Sequence, residues 1–295
     1  MHAAPSIIIF TVLSGAGFGL LVFLGMRGDP PQGLVAFVLF AIAYGLAVSG
    51  LVASVFHLAN PQRAWRAFSQ WRTSWLSREG WVSVAALLVM APHAAGLVFF
   101  GQPLPVLGWV GAALALGVLF ATSMIYAQLA TVPRWNTALT PAYFVICGLA
   151  CGALLAGQAG PSLALLALLG AVQLLCWWRG DRRLAARGHD LASATGLGFL
   201  GRLRLFEPPH TGSNFLLHEF VHQVGRRHRP KLRAIAFAAL CPVPLALVGL
   251  WPVTAGFALA FLSCMLGCFV SRWLFFAEAE HVVGLYYDAI GGPAR

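Results

Sequence analysis

The amino-acid sequence predicts an all-α integral membrane protein whose eight transmembrane helices form one bundle. Apolar residues make up 59% of the 295 residues and charged residues only 9%, whereas soluble domains contain about 25% charged residues. A chain with so little polar surface cannot cover itself in water, so lipid is its expected solvent. Hydrophobic runs of about 18 residues or more, separated by Gly- and Pro-containing turns, predict helices that cross the membrane.

These hydrophobic runs occupy most of the chain and leave little length for a separate soluble domain. We therefore expect residues 1–295 to form a single membrane domain. The first run lacks a basic segment before it and a small-residue cleavage site after it, so it is interpreted as a retained span. The predicted spans are residues 5–26, 34–57, 80–100, 105–127, 138–157, 161–178, 232–250 and 253–275. Two of the segments between these spans are long and polar. They are an interfacial loop at 58–79 and a long basic loop at 179–231.

The basic residues predict the orientation in the membrane. In a chain with eight spans, 18 of the 19 Lys and Arg residues fall on one side and only Arg27 falls on the other. The positive-inside rule places the basic side in the cytoplasm. We expect an inner-membrane protein with both termini cytoplasmic. The net charge of +10 then reflects orientation among membrane lipids, and no aromatic-and-basic module indicates nucleic-acid binding.

The segment from His57 to Trp81 has the highest density of residues suited to proton chemistry. His57 ends the second predicted span and Glu79 opens the third, so both side chains are expected at similar depth near the cytoplasmic interface. Ionisable groups at membrane depth are costly and usually face a cavity or a partner. An imidazole that donates to a carbonyl oxygen and a carboxylate that relays protons suit a quinone headgroup. The same composition is also typical of a Trp/Arg belt that anchors helix ends.

The order and spacing of these residues resemble the DMSO reductase anchor subunit (DmsC) family. The resemblance is carried by residues around the second and third spans, namely His57-Leu58, Pro61, Arg63-Ala64-Trp65, and Ser77 with Glu79. It extends to other spans and loops at Ile9 to Val12, Thr131 to Trp135, Thr140-Pro141 and Ser271-Arg272. The matching segments cover most of the predicted spans and occur in the family's order.

The resemblance implies an eight-helix anchor that binds a quinone or quinol, either menaquinone or ubiquinone. It also implies two protein partners, an iron–sulfur electron-transfer subunit and a molybdopterin catalytic subunit. By this resemblance His57 matches the family's quinol-site histidine, Glu79 its carboxylate on the third helix, and Arg63 the adjacent arginine. Further contacts at the same site are expected from Asn60, Trp65, Ser77, Arg78 and Trp81.

The side on which the partner docks bears on the direction of electron flow. A cytoplasmic docking face resembles the sulfite-oxidising branch of the family, in which electrons leave sulfite and reduce quinone. An exported reductase, which oxidises quinol as DMSO reductase-like complexes do, would place the same face outside. The distribution of basic residues favours sulfite oxidation with quinone reduction, and the quinol-oxidising reductase is the alternative.

The six cysteines are not expected to bind a cluster or a metal. All lie in apolar stretches and none forms a C-x-x-C pair, which argues against an iron–sulfur cluster or a zinc ribbon. The pairs Cys147/Cys151 and Cys264/Cys268, each spaced i,i+4, could hold a metal but more often such residues are small apolar groups at helix contacts. Haem is not expected either, because few histidines lie in or near the predicted spans.

One motif favours a different class of protein. His218-Glu219-Phe220-Val221-His222 is an H-E-x-x-H sequence, which on a helix could bind zinc with Glu219 as general base. An intramembrane zinc metallopeptidase is therefore an alternative. The motif falls in the basic loop rather than within a span, and no clear third ligand follows it. An interfacial helix that faces headgroups or a partner is the favoured interpretation of the motif. A transporter, the third possibility, would need charged residues at mid-span.

The basic loop at 179–231 is too long to be only a connection. It is interpreted either as a linker or as a folded segment that covers a partner subunit. Asp181 and Asp190, which lie among its arginines, are expected to be surface charges with little energetic weight.

Overall fold

Apolar runs form helices in lipid because each backbone polar group must be satisfied within its own segment. The protein is represented by a computed structural model that describes residues 4–56, 58, 60–207 and 228–287, and every regular element in these ranges is helical. The long helices of the first part are α1 Pro5–Met26, α2 Gly33–Val55, α3 Trp75–Ala95, α4 Pro105–Ala127, α5 Leu139–Leu155 and α6 Ala159–Ala186. The helices that follow are α7 Leu191–Thr195, α8 Arg229–Leu240, α9 Pro242–Leu250 and α10 Thr254–Ala277.

Short turns of helix complete the described chain. A 3-10 helix at Pro61–Phe68 connects α2 to α3, and a π-helical turn at Gly96–Phe100 extends α3. Further 3-10 helices lie at Gly198–Leu200 and Val282–Tyr287. Within the described ranges, seven helices are long and apolar enough to cross a membrane, counting α3 with its extension and α8 with α9 as one each. Helix α5 has 17 residues and is shorter than these seven. The all-helical, multi-pass prediction is confirmed.

The structure differs most from the sequence prediction at two helix boundaries. Helix α3 begins at Trp75, within the predicted 58–79 loop. Trp75 and Leu76 add an apolar pair ahead of the polar residues 77–79, and Arg78 reaches back along the surface. Helix α6 continues to Ala186, well beyond the predicted end at residue 178. Its added turns carry arginines, and positive charge near a helix C-terminus is favourable. Ser77 and Glu79 therefore lie on a helix.

Helix α1 lies at the centre of the bundle and contacts α2, α4, α5 and α10. It has the largest buried share of the candidate spans, 72% of its most apolar stretch. Small residues allow this close packing, as is common between helices in lipid. Gly17 lies against the backbone of α2, Gly19 against Gly148 of α5, and Gly25 against Gly108 of α4.

We predict that Gly19→Ala lowers the midpoint of thermal unfolding in detergent. The new methyl group would overlap the backbone carbonyl of Gly148, which cannot rotate away as a side chain can. Overpacking of this kind costs about 1–3 kcal/mol. Gly15→Ala is the matched control on the same helix, since among the described residues no atom of another helix lies within 4 Å of its added carbon. Equal unfolding midpoints for the two variants would contradict the close approach of α1 and α5.

Successive long helices alternate in direction. Gly50 of α2 lies against Ser14 of α1, Cys176 of α6 lies near the start of α5, and Arg233 of α8 pairs with Asp181 of α6. One end of the bundle therefore carries the arginines at 63–78, 134, 179–204 and 229–233, and we call it the arginine-rich end. Arg27 lies at the opposite end, where it donates to the carbonyl oxygen of Ala156.

Candidate functional site

The predicted site lies at the arginine-rich end, where the connector between α2 and α3 meets the start of α3. His57, the residue predicted to bind the headgroup, lies outside the described residues, and its role stays a prediction. The other predicted residues divide into an exposed group on the connector, a group that lines a surface cleft, and a buried group on the inner face of α3.

Glu79 is the central member of the buried group. Its side chain is on the inner face of α3, and the residue is only 2% exposed. The Thr122 hydroxyl of α4 donates to Glu79 Oε1 and also lies 3.0 Å from the carbonyl oxygen of Val118. No ion pair joins Glu79 to a cation in the described ranges. A carboxyl group in such a place is less costly as the neutral acid. A protonated Glu79 can donate to Thr122 while Thr122 donates to Val118, which satisfies all three groups.

Two serines extend this buried polar surface along α3. Ser77 and Ser83 are each 1% exposed, and Ser83 lies one turn beyond Glu79 on the same face. Within the described part of the chain, neither hydroxyl oxygen has a hydrogen-bond partner. Buried hydroxyl groups are almost always paired. These two therefore mark a place where a further polar group would be accommodated.

Arg78 and Trp81 lie on the outer face of α3 and line an open cleft. The cleft is also lined by Trp71 and Val82 and has a volume of about 370 Å³. Arg78 Nε donates to the carbonyl oxygen of Trp71 at 2.9 Å, and Trp81 Nε1 donates to that of Phe68 at the same distance. The Arg78 guanidinium also lies 4.5 Å from the ring centre of Trp75. These contacts hold the connector against α3.

Arg63 and Trp65 lie on the 3-10 helix of the connector, Asn60 lies directly before it, and all three are exposed. The backbone N–H of Arg63 donates to the carbonyl oxygen of Asn60 at 3.0 Å, which begins the 3-10 helix. None of the three side chains is hydrogen-bonded to Glu79 in the residues that the structure describes. The structure thus buries both Ser77 and Glu79 inside the bundle and leaves Arg63 at the surface.

A network of ion pairs at the same end was not predicted from the sequence. Arg233 Nε donates to Glu278 Oε1 at 2.6 Å, and its Nη2 donates to Asp181 Oδ1 at 2.7 Å. Arg134 pairs with both carboxylates at 2.8 and 3.3 Å, and Arg229 contacts both as well. The Glu278 side chain is only 4% exposed. The network joins the loop before α5 to α6, α8 and the end of α10.

The expectation that Asp181 is a surface charge of little weight is wrong, because three arginines converge on it. The available sequence signal was its position among arginines in a chain with only 9 acidic residues. Asp190 behaves as expected. It is exposed and caps α7, where the backbone N–H of Ser193 holds the pKa of its carboxyl below the usual range.

The segment after α6 presents large apolar side chains at the arginine-rich end. Phe199 is 81% exposed and Phe206 is 88% exposed, with Arg202 and Arg204 exposed between them. The Tyr286 hydroxyl donates to the carbonyl oxygen of Ala194 at 2.8 Å and ties this segment to the chain after α10. Exposed aromatic groups outside the spanning helices are typical of a protein–protein interface.

The chain is similar to known membrane-anchor proteins. The family model of the DMSO reductase anchor subunit (DmsC) matches residues 1–172. Over 98% of its length, the chain is 32% identical to the whole of the C subunit of sulfite dehydrogenase from Allochromatium vinosum. It is 30% identical to the anaerobic dimethyl sulfoxide reductase chain YnfH from Escherichia coli, over 52% of this chain and 56% of that protein. No solved structure matches the chain significantly.

Proposed function

Because the chain belongs to the DMSO reductase anchor subunit (DmsC) family, we propose that it anchors a sulfite-oxidising molybdopterin complex and passes its electrons to a membrane quinone. Glu79 carries the proposal. It is a buried carboxyl on a membrane-spanning helix, close to the end where protons enter from water, and it has no cationic partner among the described residues. The similarity to the sulfite dehydrogenase protein of Allochromatium vinosum, which extends over that protein's whole length, supports sulfite oxidation as the direction.

The polar groups on α3 fit a quinone headgroup. When bound, a quinone supplies carbonyl oxygens that accept electrons together with protons. The Ser77 and Ser83 hydroxyls are buried donors that lack partners in the described ranges, so they could meet such oxygens without losing other hydrogen bonds. We propose His57 as the donor to the headgroup and Arg63 as the residue that holds the charge of the site. Asn60, Trp65, Arg78 and Trp81 are proposed to shape its approach from the membrane.

Glu79 is proposed to supply and recover the proton of this reaction. Its Oε1 accepts a hydrogen bond from the Thr122 hydroxyl, which leaves the other carboxyl oxygen to carry the proton. A general acid of this kind must lie within hydrogen-bond reach of its acceptor or be connected to it by one water molecule. Burial keeps bulk water from competing for the same proton. The neutral acid is the resting form, and the ionised form exists only after the proton has been transferred.

We propose that α5 is the eighth crossing of an eight-helix bundle. It runs parallel to the central α1, against which Gly148 and Gly152 pack, and antiparallel to α6. Eight crossings place the arginine-rich end on one side, and the positive-inside rule makes that side cytoplasmic, with both termini there. The chain is then an inner-membrane protein. The exposed aromatic side chains Phe199 and Phe206 support this end as the docking face for an iron–sulfur subunit.

We predict that the tagged chain, purified in mild detergent from its native host, carries a molybdopterin subunit and an iron–sulfur subunit. Its membranes should couple sulfite oxidation to quinone reduction. His57→Ala should abolish the quinone-linked rate because the headgroup loses its donor, while sulfite oxidation with an artificial acceptor continues and shows that the complex has assembled. Quinone reduction at the wild-type rate in the His57→Ala variant would exclude this site as the place where the quinone binds.

The same preparation separates the two directions of electron flow. Quinol oxidation driven by a sulfoxide, without any sulfite oxidation, would assign the chain to a reductase complex, a possibility supported by the similarity to YnfH. The H-E-x-x-H sequence at 218–222 lies outside the described residues, and the zinc metallopeptidase stays a sequence hypothesis. Isolation without partners, together with peptidase activity that His222→Ala abolishes, would support it.

A further inference from the structure

Four of the six cysteines meet inside the bundle between α5 and α10. Cys147 Sγ lies 3.1 Å from Cys268 Sγ, and Cys151 Sγ lies 3.8 Å from both Cys264 Sγ and Cys268 Sγ. All four are free thiols, and each is at most 4% exposed. The Sγ atoms of Cys151, Cys264 and Cys268 lie within 4.8 Å of one another.

The sequence spacing and the helix directions explain this meeting. Residues four apart share a helix face, so each i,i+4 pair presents two thiols on one side of its helix. Helices α5 and α10 are antiparallel, and the pairs are in register, with Cys147 opposite Cys268 and Cys151 opposite Cys264. Arg272 continues the same face of α10 one turn beyond Cys268.

The sulfur atoms of Cys151, Cys264 and Cys268 have a spacing that suits a single metal ion, whereas Cys147 Sγ lies outside this group and only 3.1 Å from Cys268 Sγ. Zinc–sulfur bonds of about 2.3 Å place the ligands of a tetrahedral site about 3.8 Å apart, which is the separation that Cys151 shows to both cysteines of α10. An internal cavity of about 10 Å³ adjoins Cys147, Cys151 and Cys268. That volume holds about one water-sized group, which is enough for one ion and too little for a cluster with bridging atoms.

Arg272 places a buried positive charge beside the four cysteines. It is 2% exposed and lines the same cavity as the cysteines. Its guanidinium lies 3.4 Å from the ring centre of Phe144 and 4.8 Å from that of Tyr143. In the described residues, its Nε and Nη1 atoms have no hydrogen-bond partner. A buried cation supported only by aromatic rings needs a negative group beside it.

We propose that Cys151, Cys264 and Cys268, joined by Cys147 once its Sγ moves away from Cys268, bind one thiophilic d10 ion, Zn²⁺ or Cu⁺, and that Arg272 offsets part of the negative charge of the complex. Thiols lose their protons when they ligate a metal, so four thiolates and one such ion form a complex of net negative charge. Thiolate ligands select these two ions over harder cations. The ion fastens the short helix α5 to α10. The proposal does not depend on the proposed electron transfer.

The test is the metal content of the complex, purified with a tag that contains no histidine and under reducing conditions. Plasma mass spectrometry should find about one zinc or copper ion per chain, and the element identifies the ion. Molybdenum and iron from the partner subunits are counted separately, and a partner-stripped chain in nanodiscs confirms where the ion is bound. A wild-type chain that stays metal-free after incubation with Zn²⁺, and separately with Cu⁺, would overturn the proposal.

Serine variants locate the ligands. Cys147→Ser and Cys264→Ser should each lose most of the metal, because each removes a thiolate from one helix. Cys176→Ser and Cys241→Ser are matched controls outside the cluster and should keep it. His222→Ala should also keep it, which distinguishes this site from the H-E-x-x-H sequence. Loss of metal from the controls to the same extent would refute the assignment.

X-ray absorption on the wild-type chain identifies the ligand atoms of the metal directly, so it does not require a serine variant that folds. The metal edge should show only sulfur ligands at about 2.3 Å. A first shell of nitrogen or oxygen would contradict the site, and so would a disulfide between Cys147 and Cys268 in protein kept under reducing conditions.

Discussion

Glu79→Gln is expected to lower quinone-linked turnover by about 10²- to 10⁴-fold, the range that a positioned proton-transferring side chain contributes. Glutamine has nearly the shape of the neutral acid and can still pair with Thr122, so the bundle should assemble normally. An amide cannot release a proton, and the reaction would lose its acid. The measurement is sulfite-dependent quinone reduction in membranes, compared with sulfite oxidation by an artificial acceptor in the same membranes.

Asp29→Asn is the matched control for this change. It converts an acid to its amide at the opposite end of the bundle, where Asp29 is exposed, and it should leave both rates unchanged. A Glu79→Gln complex that reduces quinone at the wild-type rate would exclude Glu79 as the proton donor. Equal loss of both activities would instead indicate failed assembly.

Glu278→Gln is expected to give the largest loss of stability, about 3–5 kcal/mol, the cost of breaking a buried ion pair from one side. Three arginines would then share Asp181 as their remaining carboxylate in the described network. Two of them, Arg134 and Arg233, have side chains that are only 10% and 18% exposed, so water can compensate them little. Chemical unfolding in detergent micelles measures the change.

Asp190→Asn serves as the control for Glu278→Gln. Asparagine caps a helix about as well as aspartate, and Asp190 is exposed, so the free energy of unfolding should not change. If Glu278→Gln unfolds at the wild-type denaturant concentration, the ion-pair network contributes nothing to the stability of the bundle.

The fold was predictable because a membrane span depends on one property, sustained hydrophobicity, that is read directly from the chain. The boundaries of the helices were less predictable. Trp75 and Leu76 belong to α3 although the residues around them are polar, and the helix begins where packing permits. The sequence also did not show which face of α3 looks inward. In an apolar helix the hydrophobic contrast between faces is small, and the burial of Ser77 and Glu79 became evident only with α4 in place.

The contacts that could not be predicted from the sequence join residues that are far apart along the chain. Asp181 and Glu278 lie almost a hundred positions apart, and their shared arginines lie in the loop before α5 and at the start of α8. The cysteine pairs were visible as pairs, but the alignment of α5 with α10 depends on how each packs around α1. Contacts of this kind need the relative shift of two helices along their axes, which no local pattern encodes.

The central position of α1 has a consequence for biogenesis. This helix is synthesised before the helices that pack around it, and two of them, α5 and α10, follow much later along the chain. Until those segments insert, its glycine-containing face is in contact with lipid or with the insertion machinery. Insertion of α10, rather than insertion of α1, therefore sets the moment at which the anchor acquires its native core.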